Sequence, residues 1–404
     1  MAGWTAVLPP DTAAAALDLV TTMVGRPRPT PRCVRPDLAG GGPGLALTYH
    51  QLDRCMPGLG WDAMADGCLS ASVKGAERLG TTTPALFGGL GGLAFAAWSL
   101  SPDDPSFRSL HDGVVREAAR RARALGGSHG MPVRVFDVIS GVTGTGAYLL
   151  GRRHEPAARD ALRAVLTALV TLCGERAGTP HWYTPAEALR DARTREEFPH
   201  GVLNCGLAHG IPGPLALLSL ALDAGVTVPG QREAVARVAG WLAAHRTDDA
   251  WGPNWPGMAP PPGRSAPQDP RTARASWCYG SPGVARTLWL AGTALDDASL
   301  RTLAVQALKA ALRRPAAQRR VDGTPGLCHG VAGLLHITCL FASDTGDPEL
   351  ARAAAGLTEQ LLTSPAVISA EGPGYLEGAA GVVLTLLAAA TEVAPTWDRP
   401  LLLA

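Results

Sequence analysis

Apolar runs and amphipathic stretches alternate along most of the chain. Five stretches carry apolar residues at helical spacing with charges on the opposite face, at 107–125, 156–176, 231–246, 300–313 and 349–362, and a shorter one lies at 12–24. Runs with almost no charge lie between them, at 93–100, 215–222, 284–290, 334–341 and 382–390. A helix with one polar face covers a core, whereas a helix that is apolar all round belongs inside one. The pattern predicts an all-α protein with an inner and an outer layer of helices.

A pair of glycines with the spacing G-x-x-G marks the start of the apolar segments. It occurs six times, at Gly89/Gly92, Gly141/Gly144, Gly210/Gly213, Gly280/Gly283, Gly330/Gly333 and Gly378/Gly381. Self-similarity at intervals of about 50 to 70 residues is typical of a repeat-built fold. Glycine allows a sharp turn and close backbone approach where the chain enters a crowded inner layer. We predict six helical hairpins closed into an (α/α)6 toroid, or barrel, with all the glycine turns around one mouth.

The repeats cover about residues 80–395 and follow an N-terminal helical segment at 1–79, so we expect a single α-toroid domain over 1–404. Segment 251–271 is too rich in Pro and Gly for a helix, and segment 178–200 is polar with two prolines near its start. Such segments are typical of loops. We expect both to be insertions over the mouth or the flank of the toroid, and we interpret the Pro- and Gly-rich residues 26–44 as a surface excursion.

Composition and charge exclude several classes of protein. The chain of 404 residues is 46% hydrophobic and 18% charged, which is globular. Its formal net charge of +1 gives no general attraction to nucleic acid or anionic lipid. The start lacks the pattern of a signal peptide, and the longest uncharged helical stretch is shorter than the roughly 20 residues that span a bilayer. We expect a cytoplasmic protein that is not an integral membrane protein. Eight scattered cysteines favour buried thiols, a metal site or catalysis over a disulfide framework.

Two cysteines and a histidine occupy equivalent positions before the glycines of two repeats. Cys278 and Cys328 each lie two residues before the first glycine of their repeat, and His329 lies one before. If the ring closes, these residues meet in one cavity. Two cysteines and a histidine are a plausible zinc set with an open fourth position. The alternative is that each is a small buried residue beside a turn, because free cysteine is often fully buried.

Other reactive residues lie on the same turns of neighbouring repeats. His209 lies one residue before its first glycine, Asp137 lies four before, and Arg274 lies six before. We consider these three as catalytic candidates and expect Trp277 and Tyr279 to line the cavity wall. A histidine beside a glycine turn can equally cap or pack. The carboxylate and the guanidinium can equally hold the turns through hydrogen bonds.

Four segments resemble motifs of the lanthionine synthetase C-like (LanC) cyclases. They are 136–144 (FDVISGVTG), 204–214 (NCGLAHGIPGP), 274–283 (RASWCYGSPG) and 327–333 (LCHGVAG). The combination of W-C-Y-G, C-H-G and A-H-G-I-P-G is highly specific, and the glycine repeats follow the order of that family over about residues 80–390. Two features depart from the family: Cys205 stands where an aliphatic residue is more usual, and the loop at 251–271 is long.

The resemblance implies a lanthionine synthetase that adds cysteine thiols of a dehydrated precursor peptide to dehydroalanine or dehydrobutyrine. The products are the lanthionine and methyllanthionine thioether rings of lanthipeptides. It also implies an α-toroid and one zinc ion (Zn2+) per chain, held by the two cysteines and the histidine. The three catalytic candidates would lie near the metal, with Trp277 and Tyr279 in the same pocket. The length of the chain is similar to that of the stand-alone cyclase of a class I pathway. Its implied partners are a class I dehydratase and an exporter, in a complex peripheral to the membrane.

Two alternatives differ from a cyclase in their chemistry. A LanC-like protein that binds thiols such as glutathione, without cyclase activity, would carry almost the same site. Terpene cyclases, protein prenyltransferases and some glycosidases also have toroidal helices. Glycosidases need paired carboxylates that flank the scissile bond, and the turns of the third to fifth repeats carry no such pair.

Overall fold

The computed structural model describes residues 4–25, 31–80, 83–125, 130–265 and 273–404. Its helices, in chain order, are α1 (Pro10–Val24), α2 (Gly42–Cys55), α3 (Trp61–Leu79), α4 (Leu90–Leu100), α5 (Arg108–Leu125), α6 (Val142–Gly151), α7 (Pro156–Leu172), α8 (Ala192–Glu197), α9 (Pro212–Asp223), α10 (Gln231–Ala244), α11 (Ser281–Leu295), α12 (Ala298–Arg313), α13 (Ala316–Arg319), α14 (Val331–Thr345), α15 (Pro348–Leu362), α16 (Pro365–Ala370) and α17 (Ala379–Ala390). The short strands are β1 (Glu175–Arg176), β2 (Thr179–Pro180), β3 (Leu203–Asn204), β4 (Thr247–Asp249), β5 (Gly252–Asn254) and β6 (Met258–Ala259). The chain divides into two compact units, Met1–His111 with Arg319–Arg399, and Asp112–Gln318 with Pro400–Ala404.

The first unit has inner helices α2, α4, α14 and α17. Helix α2 packs on α4 and α17, and α17 packs on α14. Helices α1, α3 and α15 cover them from outside. Helix α17 is apolar over nearly its whole surface, and ten of its residues are buried. The sequence pattern therefore predicts inner helices α4, α14 and α17 and outer helices α1 and α15 of this unit, whereas α2 and α3 have no counterpart in it.

The second unit has inner helices α6, α9 and α11, of which α9 packs on both of the others. Helices α7, α10 and α12 cover them. The strands form three antiparallel pairs, β1 with β2, β3 with β6, and β4 with β5. The last residues of the chain belong to this unit: the carbonyl oxygen of Leu401 accepts a hydrogen bond from the Trp277 indole at 3.0 Å, and that of Leu403 accepts one from Arg286 Nε at 2.6 Å.

All six predicted glycine pairs are confirmed as helix starts, at α4, α6, α9, α11, α14 and α17. A seventh pair, Gly41 and Gly44, begins α2 in the same way. The interpretation of residues 26–44 as a surface excursion is therefore wrong at its C-terminal end, where Leu38 and Gly44 are buried; residues 26–30 lie outside the described residues. The predicted insertion 178–200 includes the short helix α8, and 251–271 includes β5 and β6, with residues 266–271 outside the described residues.

The glycines are needed because the preceding turn folds back over the start of each inner helix. A Cβ atom on Gly330 or Gly333 would lie within 3.0 Å of the carbonyl oxygen of the residue six positions earlier. The same relationship recurs at Gly41, Gly44, Gly89, Gly92, Gly210, Gly213, Gly280, Gly283, Gly378 and Gly381. Gly280 also has a φ of 106°, which L side chains rarely adopt. The repeated spacing therefore reflects a repeated backbone contact.

Two of the eight cysteines form a disulfide. Cys33 and Cys68 are joined in it, so the expectation of buried thiols is wrong for these two. The other six cysteines are not disulfide-bonded. In the described part of the chain, none of the helices has both the length and the apolar character needed to cross a membrane.

Candidate metal centre and catalytic site

Backbone hydrogen bonds link the turns that precede the inner helices of the second unit. The N–H of Val138 donates to the carbonyl oxygen of Ala208 at 3.1 Å, and the N–H of Ala208 donates to that of Cys278 at 3.3 Å. We call this series, and its counterpart in the first unit, the turn ladder. It brings the turns that carry Asp137, His209 and Cys278 side by side although they are far apart in sequence.

The first unit carries the same ladder on its own turns. The N–H of Cys328 donates to the carbonyl oxygen of Leu376 at 2.8 Å, Leu376 donates to Ala39 at 3.0 Å, and Ala39 donates to Phe87 at 3.2 Å. Each of these four residues lies two positions before the glycine that begins an inner helix. Both predicted cysteine ligands therefore occupy a ladder position, which is the structural basis of the register seen in the sequence.

His209 and Asp137 form a close pair. His209 Nδ1 lies 2.6 Å from Asp137 Oδ2, and the carboxylate is 1% exposed while the histidine side chain is 37% exposed. The other carboxylate oxygen, Oδ1, accepts the backbone N–H groups of Ser140 and Gly141, both at 2.7 Å. These groups lie at the N-terminus of α6, where a negative charge is stabilised. The fixed carboxylate makes Nδ1 the donor, so Nε2 is the ring atom that can exchange a proton.

Tyr279 lies beside this pair and is held by Asn204. The Asn204 side-chain N–H donates to the Tyr279 hydroxyl oxygen at 3.0 Å, and the ring centroids of Tyr279 and His209 are 6.3 Å apart. Burial raises the pKa of Tyr279 to about 12, which keeps the phenol neutral at ordinary pH. A Cβ atom on Gly206 would lie within 3.0 Å of the Tyr279 ring and the Cys278 carbonyl oxygen. A glycine is therefore required at this point of the G-L-A-H-G turn.

A cavity of about 320 Å³ in the second unit opens onto the pair. Asp137, His209, Asn204 and Tyr279 are among its lining residues. Both predicted insertions also line it, with residues 184, 188–191 and 194 from the first and Met258 from the second. The sequence predicted that these segments lie over the mouth or the flank, and part of each borders the cavity.

Cys278, Cys328 and His329 bring their ligand atoms together. The two sulfur atoms and a ring nitrogen all lie within 4.8 Å of one another, and in the described part of the chain this is the group of three that could hold a metal ion. Zinc binds sulfur at about 2.3 Å and imidazole nitrogen at about 2.0 Å, so tetrahedral ligand atoms lie roughly 3.5–3.8 Å apart. The donor set and its spacing therefore fit zinc after small side-chain adjustments, with a fourth position left open.

The chain matches known proteins in sequence and in fold. The family profile described as "Lanthionine synthetase C-like protein" matches residues 33–402. The chain belongs to this family. It is 26% identical over 359 residues to the nisin biosynthesis protein NisC of Lactococcus lactis subsp. lactis, covering 86% of this chain and 84% of that protein. A solved structure of nisin cyclase matches with a TM-score of 0.82 and 23% identity, covering 98% of each chain. The LanC-like chain thus has the nisin cyclase fold, an α-toroid.

Two predicted site residues of this LanC-like protein lie outside the cavity lining. Arg274 is exposed, and its backbone carbonyl oxygen accepts the N–H of Ser276 at 3.0 Å. Trp277 is 1% exposed and donates its indole N–H to the C-terminal segment. Tyr279, by contrast, borders the cavity. The structure therefore brings together Asp137, His209 and Tyr279 and leaves the other two beside the turn.

Sequence reasoning missed Asn204 and noted Cys205 only as a departure from the family pattern. Asn204 stands in the quoted motif, and its Oδ1 atom also accepts the N–H of Gly206 at 2.9 Å. Because asparagine commonly satisfies a backbone N–H two residues on, that spacing was a usable signal. Cys205 is 1% exposed, and burial raises its thiol pKa to about 12. Such a thiol is inert near neutral pH, which supports a structural role.

Proposed function

We propose that this protein is a lanthipeptide cyclase. Its substrate is a precursor peptide in which serine and threonine have been dehydrated, and its products are lanthionine and methyllanthionine rings. Membership of the family and the likeness to nisin cyclase support a cyclase. The observation that carries the proposal is the cluster of two thiols and one imidazole on turns of the same type as the turn of the His209–Asp137 pair. A class I dehydratase is the partner that supplies this substrate, and an exporter is a further partner in the complex.

The two cysteines and the histidine would hold one zinc ion per chain. Zinc bound there would acidify the thiol of the substrate cysteine, whose ordinary pKa of about 8.5 leaves little thiolate at neutral pH. Cys278 is 8% exposed, and its sulfur lies 3.6 Å from the hydroxyl oxygen of Ser276. Cys278 is therefore shielded from solvent, while Cys328 and His329 are half-buried.

The bond changes of the reaction define what His209 does. The thiolate sulfur forms a bond to the β-carbon of the dehydrated residue, and the π electrons of the C=C bond move toward the adjoining carbonyl to give an enolate. The α-carbon then takes a proton as the carbonyl is restored. Nε2 of His209 supplies this proton and can first accept the proton that the thiol loses. Asp137 holds the imidazole in the required tautomer and stabilises its protonated form.

The developing enolate oxygen needs a positive or hydrogen-bonding neighbour. We assign this role to Arg274, whose exposed guanidinium would approach the site when the peptide binds. Tyr279 would form the wall that orients the dehydrated residue, and Trp277, which is 1% exposed, would support that turn from the core. Of these three, Tyr279 has the direct support of bordering the cavity with His209.

A cyclisation assay tests the proposal. A synthetic peptide with one dehydroalanine and one cysteine is incubated with the zinc-loaded protein, and ring closure is followed as the loss of alkylatable thiol at unchanged mass. We expect closure much faster than in protein-free buffer. A thiol that stays alkylatable, together with glutathione binding to the same protein, would reject the cyclase and favour a thiol-binding function.

A further inference from the structure

The lining of the cavity beside His209 combines two chemically different groups of residues. Asp137, His209, Asn204 and Tyr279 form what we call its catalytic side. Most of the lining surface is apolar, and we call Val133, Leu189, Val202 and Met258 the apolar wall; Arg134, Arg190 and Asp191 also border the cavity. Neither proton transfer nor metal binding requires such a wall, so the proposed reaction does not account for it.

The apolar wall is fixed in place by hydrogen bonds at its base. The N–H of Thr184 donates to Val202 and the N–H of Val202 donates to Thr184, each at 2.9 Å. The buried Thr184 hydroxyl donates to the carbonyl oxygen of Met131 at 2.8 Å, and the Met131 N–H donates to Tyr183 at 2.8 Å. The insertion is thus tied on both sides just before it supplies Leu189. This is a preformed wall, which keeps the ordering cost of binding small.

The second insertion is tied to the catalytic side directly. Strand β6 pairs with β3 so that Met258 lies opposite Asn204, the residue that holds the Tyr279 hydroxyl. The Cys205 N–H also donates to the carbonyl oxygen of Gly257 at 3.0 Å. Met258 therefore keeps a fixed relation to the catalytic turn.

The size and position of the cavity limit what can occupy it. A volume of about 320 Å³ is at the lower end of the range of small-molecule pockets, roughly 300–1,000 Å³. It has room for the dehydrated residue and one further side chain, but not for a folded peptide. Since His209 has to reach the α-carbon of the dehydrated residue, the residues next to it in sequence are the nearest source of a side chain against the apolar wall.

We infer that this cavity is a specificity subsite for an apolar side chain on the residue adjoining the dehydrated residue. The inference rests on the proposed function, because it defines the neighbour by the reacting residue. Burial of a leucine side chain against Leu189 and Met258 removes apolar surface from water, whereas glycine gains nothing there. The subsite thus selects among the dehydrated residues of a peptide by their neighbours.

Two peptides that differ only in that neighbour, leucine or glycine, test the inference. Each carries one dehydrated residue and one cysteine, and both binding to the zinc-loaded protein and cyclisation are measured. We expect the wild type to bind and cyclise the leucine peptide roughly tenfold better. Leu189→Asp abolishes that preference and leaves the glycine peptide within about twofold. Glu196→Ala, an exposed position on α8 outside the cavity lining, keeps the preference and is the matched control.

A second variant tests the subsite without the charge that Leu189→Asp introduces. Leu189→Ala enlarges the cavity, so the preference moves from a leucine neighbour toward phenylalanine. Equal binding of the leucine and glycine peptides by the wild type, or an equal loss with both in Leu189→Asp, would overturn the subsite. A Leu189-dependent preference in binding without any cyclisation would support the subsite and overturn the proposed function instead.

Discussion

Asp137 connects the imidazole of His209 to the start of a helix. One carboxylate oxygen lies 2.6 Å from Nδ1 of His209, and the other accepts two backbone N–H groups at the N-terminus of α6. The position of the imidazole is therefore set by main-chain atoms through one buried side chain. This arrangement specifies the tautomer as well as the place of the ring.

Replacing the Asp137 carboxylate tests whether positioning of the His209 imidazole is independent of metal binding. Asp137→Asn can cap α6 with its amide oxygen while presenting an N–H to Nδ1, which forces the imidazole into the other tautomer. We expect the single-turnover cyclisation rate to fall about 10- to 100-fold, with zinc content unchanged. His209→Ala should also retain zinc and lose at least as much rate. Loss of zinc from Asp137→Asn would contradict this separation of roles.

Cys278→Ala should lose zinc and cyclisation together, because two remaining ligands hold the ion poorly. Elemental analysis of protein purified under reducing conditions measures the bound metal, and we expect about one zinc per chain in the wild type. Cys205→Ala is the matched control, since that cysteine is also buried in the same unit but belongs to no ligand group of the described residues. A folded wild type without metal would reject the zinc site.

The two kinds of glycine in this chain predict opposite effects on stability. A Cβ atom on Gly283 would meet the carbonyl oxygen of Trp277, so Gly283→Ala should lower the free energy of unfolding by about 1–3 kcal/mol. Gly240 is exposed within α10 with nothing within 4 Å of its would-be Cβ, so Gly240→Ala should raise stability by up to about 1 kcal/mol. Urea unfolding measures both, and destabilisation of equal size would refute the role of the backbone contact.

Asp249 makes stability depend on pH. Partial burial raises its pKa, but the Arg314 guanidinium and the N–H groups of Trp251 and Gly252 outweigh that effect and hold the pKa below its ordinary value. Such a carboxyl stabilises the fold above its unfolded pKa of about 3.9, and the contribution is lost as pH falls through the lower folded pKa. Asp249→Asn should therefore cost about 1–2 kcal/mol at neutral pH.

Chemical denaturation at a series of pH values measures this contribution. The difference between wild type and Asp249→Asn should shrink as the pH falls below about 4. Asp248→Asn provides the control, because Asp248 pairs with Arg246 on the surface and is 58% exposed. A difference for Asp249→Asn that stays constant down to pH 3 would show that the charge is not its source.

Most of the inner layer could be predicted from the sequence. The glycine pairs reflect the close backbone contact at each helix start, and the uncharged runs reflect burial of the helix that follows. Helix α2 was missed because it is polar in its second half, where Thr48 and Gln51 are buried nevertheless. Thr48 donates its hydroxyl to Gly44, and Gln51 makes hydrogen bonds with Arg54 and Val393. Burial of these polar groups is compensated by partners that periodicity alone does not reveal.

At the site, the spacing of residues from the glycine pairs identified the turns that carry the candidate residues, but not the contacts between those turns. The spacing of Asp137 and His209 from their glycines predicted that they meet, and the pair is observed at hydrogen-bonding distance. The contact of Asn204 with Tyr279 and the position of Leu189 in the cavity depend on residues far apart in sequence, which no local pattern encodes. The Cys33–Cys68 disulfide likewise depends on how α3 packs on the segment before α2.

The hydrogen bonds of the turn ladder join main-chain atoms alone, so the side chain at each ladder position can differ. Cys278 and Cys328 occupy ladder positions, while Leu376, Ala39 and Phe87 occupy the equivalent positions of other turns. The reactivity of a turn can therefore change without a change in the fold, because replacing the side chain at a ladder position leaves the backbone hydrogen bonds between the turns intact. A cysteine or histidine engineered at one of the apolar ladder positions would have the same backbone placement as a metal ligand.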